Sequence, residues 1–281
     1  MAKNKKIMVI YHGECPDGFS GAWAAWKKFG DDAEYLPAYH GAPLPEGVEG
    51  KEIFLIDFVP DEATIKKLLA DNISVFPIDH HATSEIKMEL FKDFVFDMSK
   101  SGAVLAWEYF HRGEPVPLFL QYVQDRDIWR WQLPSSKEIN AFTDLASMDF
   151  KTWDKLIKEL GDPSQKSRLI KQGSLLLKYQ DKEIEKIIEE NAEKVEFEGY
   201  QILAVNSVLF HSQIGNKLVN VLPPIGIVWH RTKDNMSVSL RSDGKTDVSV
   251  IAKKYGGGGH KAASGFEMPL DQPLPWRRVT K

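Results

Sequence analysis

The sequence predicts an α/β protein of two domains, the first built on a parallel sheet and the second a smaller α/β unit, joined by a long helix. Three observations carry this. Short β-branched and aromatic runs alternate with helical patterns through the first half of the chain. Three of those runs end on acids or imidazoles, and ligands of open parallel sheets gather outside the carboxyl ends of the strands. A length of 281 residues, with a charged amphipathic stretch before residue 196, fits about two domains.

Composition excludes several classes. With 43% hydrophobic and 27% charged residues, there is enough apolar material for real cores, so a metal would serve chemistry rather than hold the fold together. A net charge of −4 argues against a generic polyanion-coating protein, though not against a local basic groove. The single cysteine, Cys15, excludes an internal disulfide framework and suits a reducing cytoplasm, the expected location. Lys3-Asn4-Lys5-Lys6 before Ile7–Ile10 mimics a signal peptide only weakly, because the apolar run is too short. No stretch is long enough to span a membrane.

Taken in order, Lys6–Tyr11 is the first strand, and His12–Gly18 the loop at its carboxyl end. Ser20–Phe29 is a helix, with Ala22, Trp23, Ala25 and Trp26 at helical spacing and Gly30 as its stop. A second strand lies around Glu34–Tyr39, and Gly41–Gly50 is a loop rich in Gly and Pro. Glu52–Asp57 is the third strand. Pro60 and Asp61 open a helix to Ala70, with Asp61 as N-cap. The apolar run Ile73–Ile78 reads as a buried strand leading into Asp79-His80-His81.

A short strand near Asp93–Asp97 precedes a helix at Ser101–His111. The cluster Gln124–Trp129 follows Leu118–Val123, and helical pattern continues from about Glu138 to Leu160. Gln165–Val195 is a long helix whose apolar stripe includes Leu169, Leu176, Ile184 and Ile188. The domains are therefore expected at 1–160 and 196–281, with 161–195 as connector. In the second, strands are expected at Tyr200–Val205, Ile225–His230 and Met236–Arg241, and helices at Ser212–Val221 and Asp247–Tyr255. The run Gly256–Gly259 then precedes His260, Lys261 and a last strand near Ser264–Met268. A tail ending at Lys281 holds Arg277 and Arg278.

Carboxyl ends of parallel strands share one edge, so His12 with Asp17, Asp57, and Asp79-His80-His81 should converge there. Each feature also has a plainer explanation. Asp-His-His alone is as easily a strand end followed by a solvated loop. Asp125 and Asp127 could form a surface turn paired to Arg126 or Arg130. Cys15 is a soft ligand or a small packing residue. Four glycines are more often a hinge than a nest of phosphate-binding amides. Arg241 by default is an exposed strand arginine. Trp129, Trp131 and Phe142 are candidates for base stacking, although aromatics more often pack in a core, the role expected of Trp23, Trp26 and Trp107.

Asp79-His80-His81, the strand-end Asp57, Arg241-Ser242 and the run Gly256–Gly265 together resemble the DHH phosphoesterase family with its DHH-associated C-terminal domain. The resemblance covers nearly the whole chain. That family includes RecJ-like exonucleases, nanoRNases, cyclic-dinucleotide phosphodiesterases and manganese pyrophosphatases. The resemblance implies a metal-dependent hydrolase of short oligonucleotides, or of single-stranded nucleic acid from an end, with its active site between the domains. The alternative enzyme acts on 3′,5′-bisphosphate nucleotides or cyclic dinucleotides. The alternative class is a nucleotide-binding module that has lost a metal. A homodimer is left open.

By the same resemblance two Mn2+ ions are expected, with Mg2+, Zn2+ or Fe2+ as alternatives. His12, Asp57 and Cys15 would hold one; Asp17, Asp57, His80 and either Asp125 or Asp127 the other, Asp125 being the better match. Asp79 would orient His80 or stand behind the metal ligands, and His81 would stabilise charge at the scissile phosphate. Arg241, Gly257, Gly258, Gly259, His260 and Lys261 would grip substrate phosphates. One departure stands out. The family's first motif carries Asp-x-Asp after its His, whereas here either Cys15 takes the place of the first Asp or Phe19 that of the second.

Overall fold

Alternation of strand and helix in the first half of the chain closes into one parallel sheet. The computed structural model describes residues 5–39 and 42–279, so Lys3, Asn4, Gly41 and Lys281 lie outside the described residues. Strands β1 (Ile7–His12), β2 (Ala33–Ala38), β3 (Glu52–Ile56), β4 (Ser74–Asp79) and β5 (Val95–Phe96) stand in the order β2-β1-β3-β4-β5, every pairing parallel. Successive side chains of a strand point to opposite faces, which sorts the apolar runs into two cores. Val9, Ile56 and Ile78 face one cluster; Met8, Ile10, Ile53, Leu55 and Val75 face the other. Burial on both faces is why these strands read as continuous apolar runs.

Helices cover both faces. α1 (Pro16–Phe29), α3 (Gly102–Phe110), α4 (Leu118–Asp127) and α6 (Phe150–Gly161) contribute to the first core through Trp23, Leu105, Tyr122 and Trp153. α2 (Glu62–Asp71) contributes Ile65 and Leu68 to the second. Asp61 caps α2 as expected, its side chain accepting from the Thr64 amide at 3.1 Å. Two boundaries differ from the sequence reading. α1 begins at Pro16 rather than Ser20, because proline is pre-set for the first helical turn, and Asp17 is therefore helical. The pattern from Glu138 to Leu160 splits into α5 (Ser136–Thr143) and α6, since Asp149 accepts the Thr152 amide at 2.9 Å and starts a new helix.

α7 (Pro163–Asn191) ends short of Val195. The residues beyond it form β6 (Ala192–Phe197), which turns through Glu198 and Gly199, both at positive φ, into β7 (Tyr200–Asn206). A two-residue turn of that conformation matches the twist of a hairpin. Contacts divide the chain into two units between Leu177 and Lys178, inside α7. Leu169 belongs to the first unit's core, and Ile184 packs with Val205, Ile214 and Leu218 in the second. The expected boundaries at 160 and 196 thus bracket a helix that both units use.

The second unit is a mixed sheet. To β6 and β7 are added α8 (His211–Val221), β8 (Ile225–Arg231), β9 (Asn235–Ser242), α9 (Val248–Lys254), β10 (Gly258–His260), β11 (Ala263–Pro269) and β12 (Arg277–Arg278). The order is β10-β11-β9-β8-β7-β6-β12, with β7 and β8 parallel and every other pair antiparallel. β6, β10 and β12 are strands the sequence reading did not contain. Among the described residues no helix is long and apolar enough to cross a membrane.

Candidate metal centre

The carboxyl edge of the first sheet brings together most of the side chains the sequence singled out. β1 delivers His12, the residue after β3 is Asp57, and β4 ends on Asp79, followed by His80 and His81. Asp57 sits at φ 57°, a left-handed conformation that Asp tolerates better than most residues, and its amide donates to the Ile78 carbonyl at 2.9 Å. Its two oxygens face different imidazoles. Oδ2 lies 3.3 Å from His12 Nδ1, and Oδ1 lies 3.2 Å from His80 Nε2.

Asp17, from the first turn of α1, approaches His80 Nε2 at 3.9 Å and is anchored from the other side by α3. Its Oδ2 accepts the Gly102 amide at 2.6 Å and its Oδ1 the Ala103 amide at 3.1 Å. The start of a helix, with its unpaired amides and positive dipole end, favours such a carboxylate. A Cβ at residue 102 would stand 2.7 Å from Asp57 Cβ and 3.0 Å from Asp17 Oδ2, so only glycine lets α3 come this close. Nothing in the sequence reading marked Gly102. The available signal was Ser101-Gly102 ahead of an apolar helix, an N-cap pattern and hence an anion-binding terminus.

Asp127, at the end of α4, completes the cluster, its Oδ2 3.4 Å from His80 Nε2. Asp125, the better match by sequence, does not enter it. Its carboxylate accepts the Gln132 and Leu133 amides at 2.9 and 3.1 Å, fastening the loop that leaves α4. Of the two roles expected of Asp79, its contacts do not serve the orienting of His80. Its Oδ1 accepts the amides of His80 and His81 and pairs with His81 Nδ1 at 2.7 Å, so it orients His81 rather than the His80 ring.

Electrostatics shows what this crowding costs. Burial, with Asp127 and Asp57 beside it, pushes the Asp17 carboxyl well up. Burial and Asp57 push Asp127 up to about 6, against the pull of His80. Burial would also raise Asp57, but hydrogen bonds from His12 and His80 hold it well below the usual carboxylate range. Burial would lower both imidazoles, yet the surrounding carboxylates win, lifting His80 to about 10 and His81 to about 9. Burial and the charges of Asp57, Asp17 and Asp127 raise the Cys15 thiol well above its ordinary value.

The cluster therefore asks for positive charge, and protons on the imidazoles supply part of it. The donors fit divalent cations. His12, Cys15 and Asp57 offer ligand atoms within 4.8 Å of one another, and so do Asp17, His80 and Asp127. The buried Asp57 Oδ1 and Asp127 Oδ2 both face the single His80 Nε2, at 3.2 and 3.4 Å, which leaves lone pairs on both oxygens for a cation. Mixed carboxylate and imidazole donors suit Mn2+ and its neighbours.

In the second unit Arg241 reaches from β9, its Nη2 donating to Ser212 Oγ at 2.6 Å and its Nη1 to the Leu240 carbonyl at 2.8 Å. No carboxylate forms an ion pair with it among the described residues, and burial lowers its guanidinium to about 10. The His211 and His230 rings stack nearby with centroids 4.8 Å apart. Burial, His230 and Arg241 push His211 down. Neither histidine was marked from the sequence.

The glycine run is less open than expected. The Gly256 and Gly257 amides are taken by the Lys253 and Ala252 carbonyls at the end of α9, while Gly258, Gly259 and His260 pair with β11. A Cβ at Gly257 would lie 2.1 Å from the Gly265 carbonyl oxygen, so close strand packing accounts for that glycine. Lys261 is exposed, and its carbonyl accepts the Val248 amide at 2.9 Å.

The aromatic candidates separate by surroundings. Trp23 stacks on Trp107, and Trp26 on Phe150, as packing residues. Phe142 packs against the first core. Trp129 is 45% exposed at φ 57°, two residues past Asp127, and meets Trp131 edge-on.

Comparison with known proteins follows the same lines. The DHHA1 domain family matches residues 212–275. The chain is 31% identical over 303 residues to the uncharacterized protein R106 of Acanthamoeba polyphaga mimivirus, covering 99% of this chain and 71% of that protein. It is 28% identical over 155 residues to the oligoribonuclease NrnB of Bacillus subtilis strain 168, covering 52% of this chain and 38% of that protein. Among solved structures, RecJ from Thermus thermophilus in complex with Mn2+ superposes with a TM-score of 0.51 at 15% identity, over 94% of this chain and 50% of that one.

Proposed function

The chain belongs to the DHH family of phosphoesterases, and on that premise we propose that it hydrolyses short oligonucleotides, or single-stranded nucleic acid from an end, with Mn2+ as cofactor. The observation that carries the reading is the convergence of His12, Asp17, Asp57, His80 and Asp127 at one edge of a parallel sheet, with carboxylate oxygens left for a cation. The Bacillus subtilis relative is an oligoribonuclease, which supports the substrate class.

His12, Asp57 and Cys15 would hold one divalent ion, and Asp17, Asp57, His80 and Asp127 a second. Such ions, when bound, make water a stronger nucleophile and neutralise charge on the phosphate. The remaining work falls to the chain. Asp17, fixed by two amides of α3, keeps its side of the cluster from shifting as charge moves. Asp79 holds His81 by Nδ1, which leaves the proton that His81 presents to a phosphate oxygen on Nε2. A ring raised to about 9 carries that proton at neutral pH and so stabilises the charge developing on the phosphoryl group. Arg241, with a fork of donors and no carboxylate of its own, would bind a further phosphate. His211 and His230 would add donors there. Trp129 would stack a base, which tolerates any sequence.

The test is Mn2+-dependent hydrolysis of a labelled five-nucleotide oligomer beside a bisphosphate nucleotide and a cyclic dinucleotide, with Asp57→Ala as control. Mononucleotide release from the oligomer, absent in the control, is expected. Turnover of the small nucleotides alone would replace this substrate with theirs.

A further inference from the structure

The two halves of the metal centre are chemically unequal. Asp17, His80 and Asp127 offer two hard oxygens and an imidazole. His12, Cys15 and Asp57 offer one oxygen, one imidazole and a sulfur. Building on the metal centre proposed above, we propose that Cys15 binds as a thiolate, so that the His12–Cys15–Asp57 pocket selects Zn2+ or Fe2+ while the Asp17–His80–Asp127 pocket takes Mn2+ or Mg2+.

Three observations favour a ligand over a packing residue. First, ligands sharing one ion at bond lengths of roughly 2.0–2.3 Å are within about 4.6 Å of each other, and the three atoms already lie within 4.8 Å. Second, Cys15 belongs to none of the apolar clusters among the described residues, whereas unreactive cysteines usually pack as small hydrophobes. Third, it occupies the N-cap of α1 without capping it. Its side chain makes no cap hydrogen bond, in a position where Ser, Asp or Asn would serve the helix better. Helix stability alone does not select cysteine here.

The substitution also suits the local charge. A carboxylate at residue 15 would add a fixed negative charge beside Asp57 and Asp17, which are already crowded. A thiol is neutral until a cation displaces its proton, and the thiolate then donates as much charge as the carboxylate would. Sulfur prefers softer ions than oxygen does, so this exchange changes which metal is held as well as how tightly. The ends of the shared Asp57 carboxylate face the two pockets separately, through Oδ2 to His12 and Oδ1 to His80, so one ligand serves both without making them alike.

The experiment uses the full chain, stripped by a chelator and titrated with Co2+ as a spectroscopic probe. Because the sequence holds a single cysteine, any thiolate-to-cobalt charge-transfer band in the near ultraviolet arises from residue 15. The band is expected in the wild type and absent from Cys15→Ser, which changes only one atom and whose folding is checked by melting without metal. In competition between Zn2+ and Mn2+, read by elemental analysis, Cys15→Asp is expected to shift preference toward Mn2+ by about tenfold or more. Cobalt bound without the band, or unchanged metal preference in Cys15→Asp, overturns thiolate ligation and leaves the hydrolase reading standing. A stripped protein that binds no cobalt overturns the thiolate site and the metal centre beneath it together.

Discussion

The two units gather charge of opposite sign. The edge of the first sheet gathers Asp17, Asp57, Asp79 and Asp127 around three imidazoles, whereas the corner of β9 and α8 holds Arg241 with His211 and His230 and no acidic partner among the described residues. Unbalanced charge removed from water is expensive, and a fold evolved for stability alone would pair or discard it. On the proposed reading, the first unit would hold a cation and the second an anionic group of the substrate. A phosphoesterase needs both.

The largest effect should come from removing the residue that serves both halves of the acidic cluster. Asp57→Ala is expected to lower hydrolysis by about 10³-fold or more, the several kcal/mol that bound Lewis acids contribute, with loss of metal measured in the same sample. If metal content is unchanged, the acidic cluster is not the metal centre. On the other side of the comparison, Arg241→Ala should raise KM for 5′- or 3′-phosphorylated oligomers by about 10- to 100-fold, as expected for a lost charge-assisted hydrogen bond, with metal content unchanged. Loss of metal in that variant would erase the distinction between the two corners.

Two aspartates on one helix sharpen the contrast further. Asp125→Ala removes the acceptor of two loop amides and should destabilise the first unit by about 1–3 kcal/mol, a drop of several degrees in Tm. Asp127→Asn removes a buried charge and should leave the metal-free protein as stable as before, or more so, while weakening metal binding. The reverse pattern would exchange the roles assigned to the two. The smallest effect is expected at Trp129→Ala, about fivefold in KM for an oligonucleotide, corresponding to roughly 1 kcal/mol of base stacking, and none for an abasic oligomer.

Much of the first unit was legible because its signals are local. An apolar run ending on Asp79-His80-His81 indicates both a buried strand and a strand-end site, and parallel topology then places it beside His12 and Asp57. The choice between Asp125 and Asp127 was not legible. Residues two apart on a helix point about 200° apart, and only tertiary packing decides which faces the cluster. Gly102 was hidden for a related reason: its importance lies in contacts with Asp17 and Asp57, far away in sequence. The start of α1 was obscured by Cys15-Pro16-Asp17-Gly18, turn-like by composition but helical because proline opens the first turn. In the second unit the glycines suggested an open nest, whereas their amides serve the end of α9 and an edge strand.

The two amides that hold Asp17 have a further use. Hydrogen bonds of 2.6 and 3.1 Å place the Gly102 and Ala103 protons directly against a carboxylate of the cluster. Their resonance positions and exchange rates are thus tied to the charge on Asp17, and through it to whatever occupies the edge of the sheet. In an isotope-labelled sample these two peaks act as a built-in gauge, reading occupancy in solution without substrate, added probe or turnover.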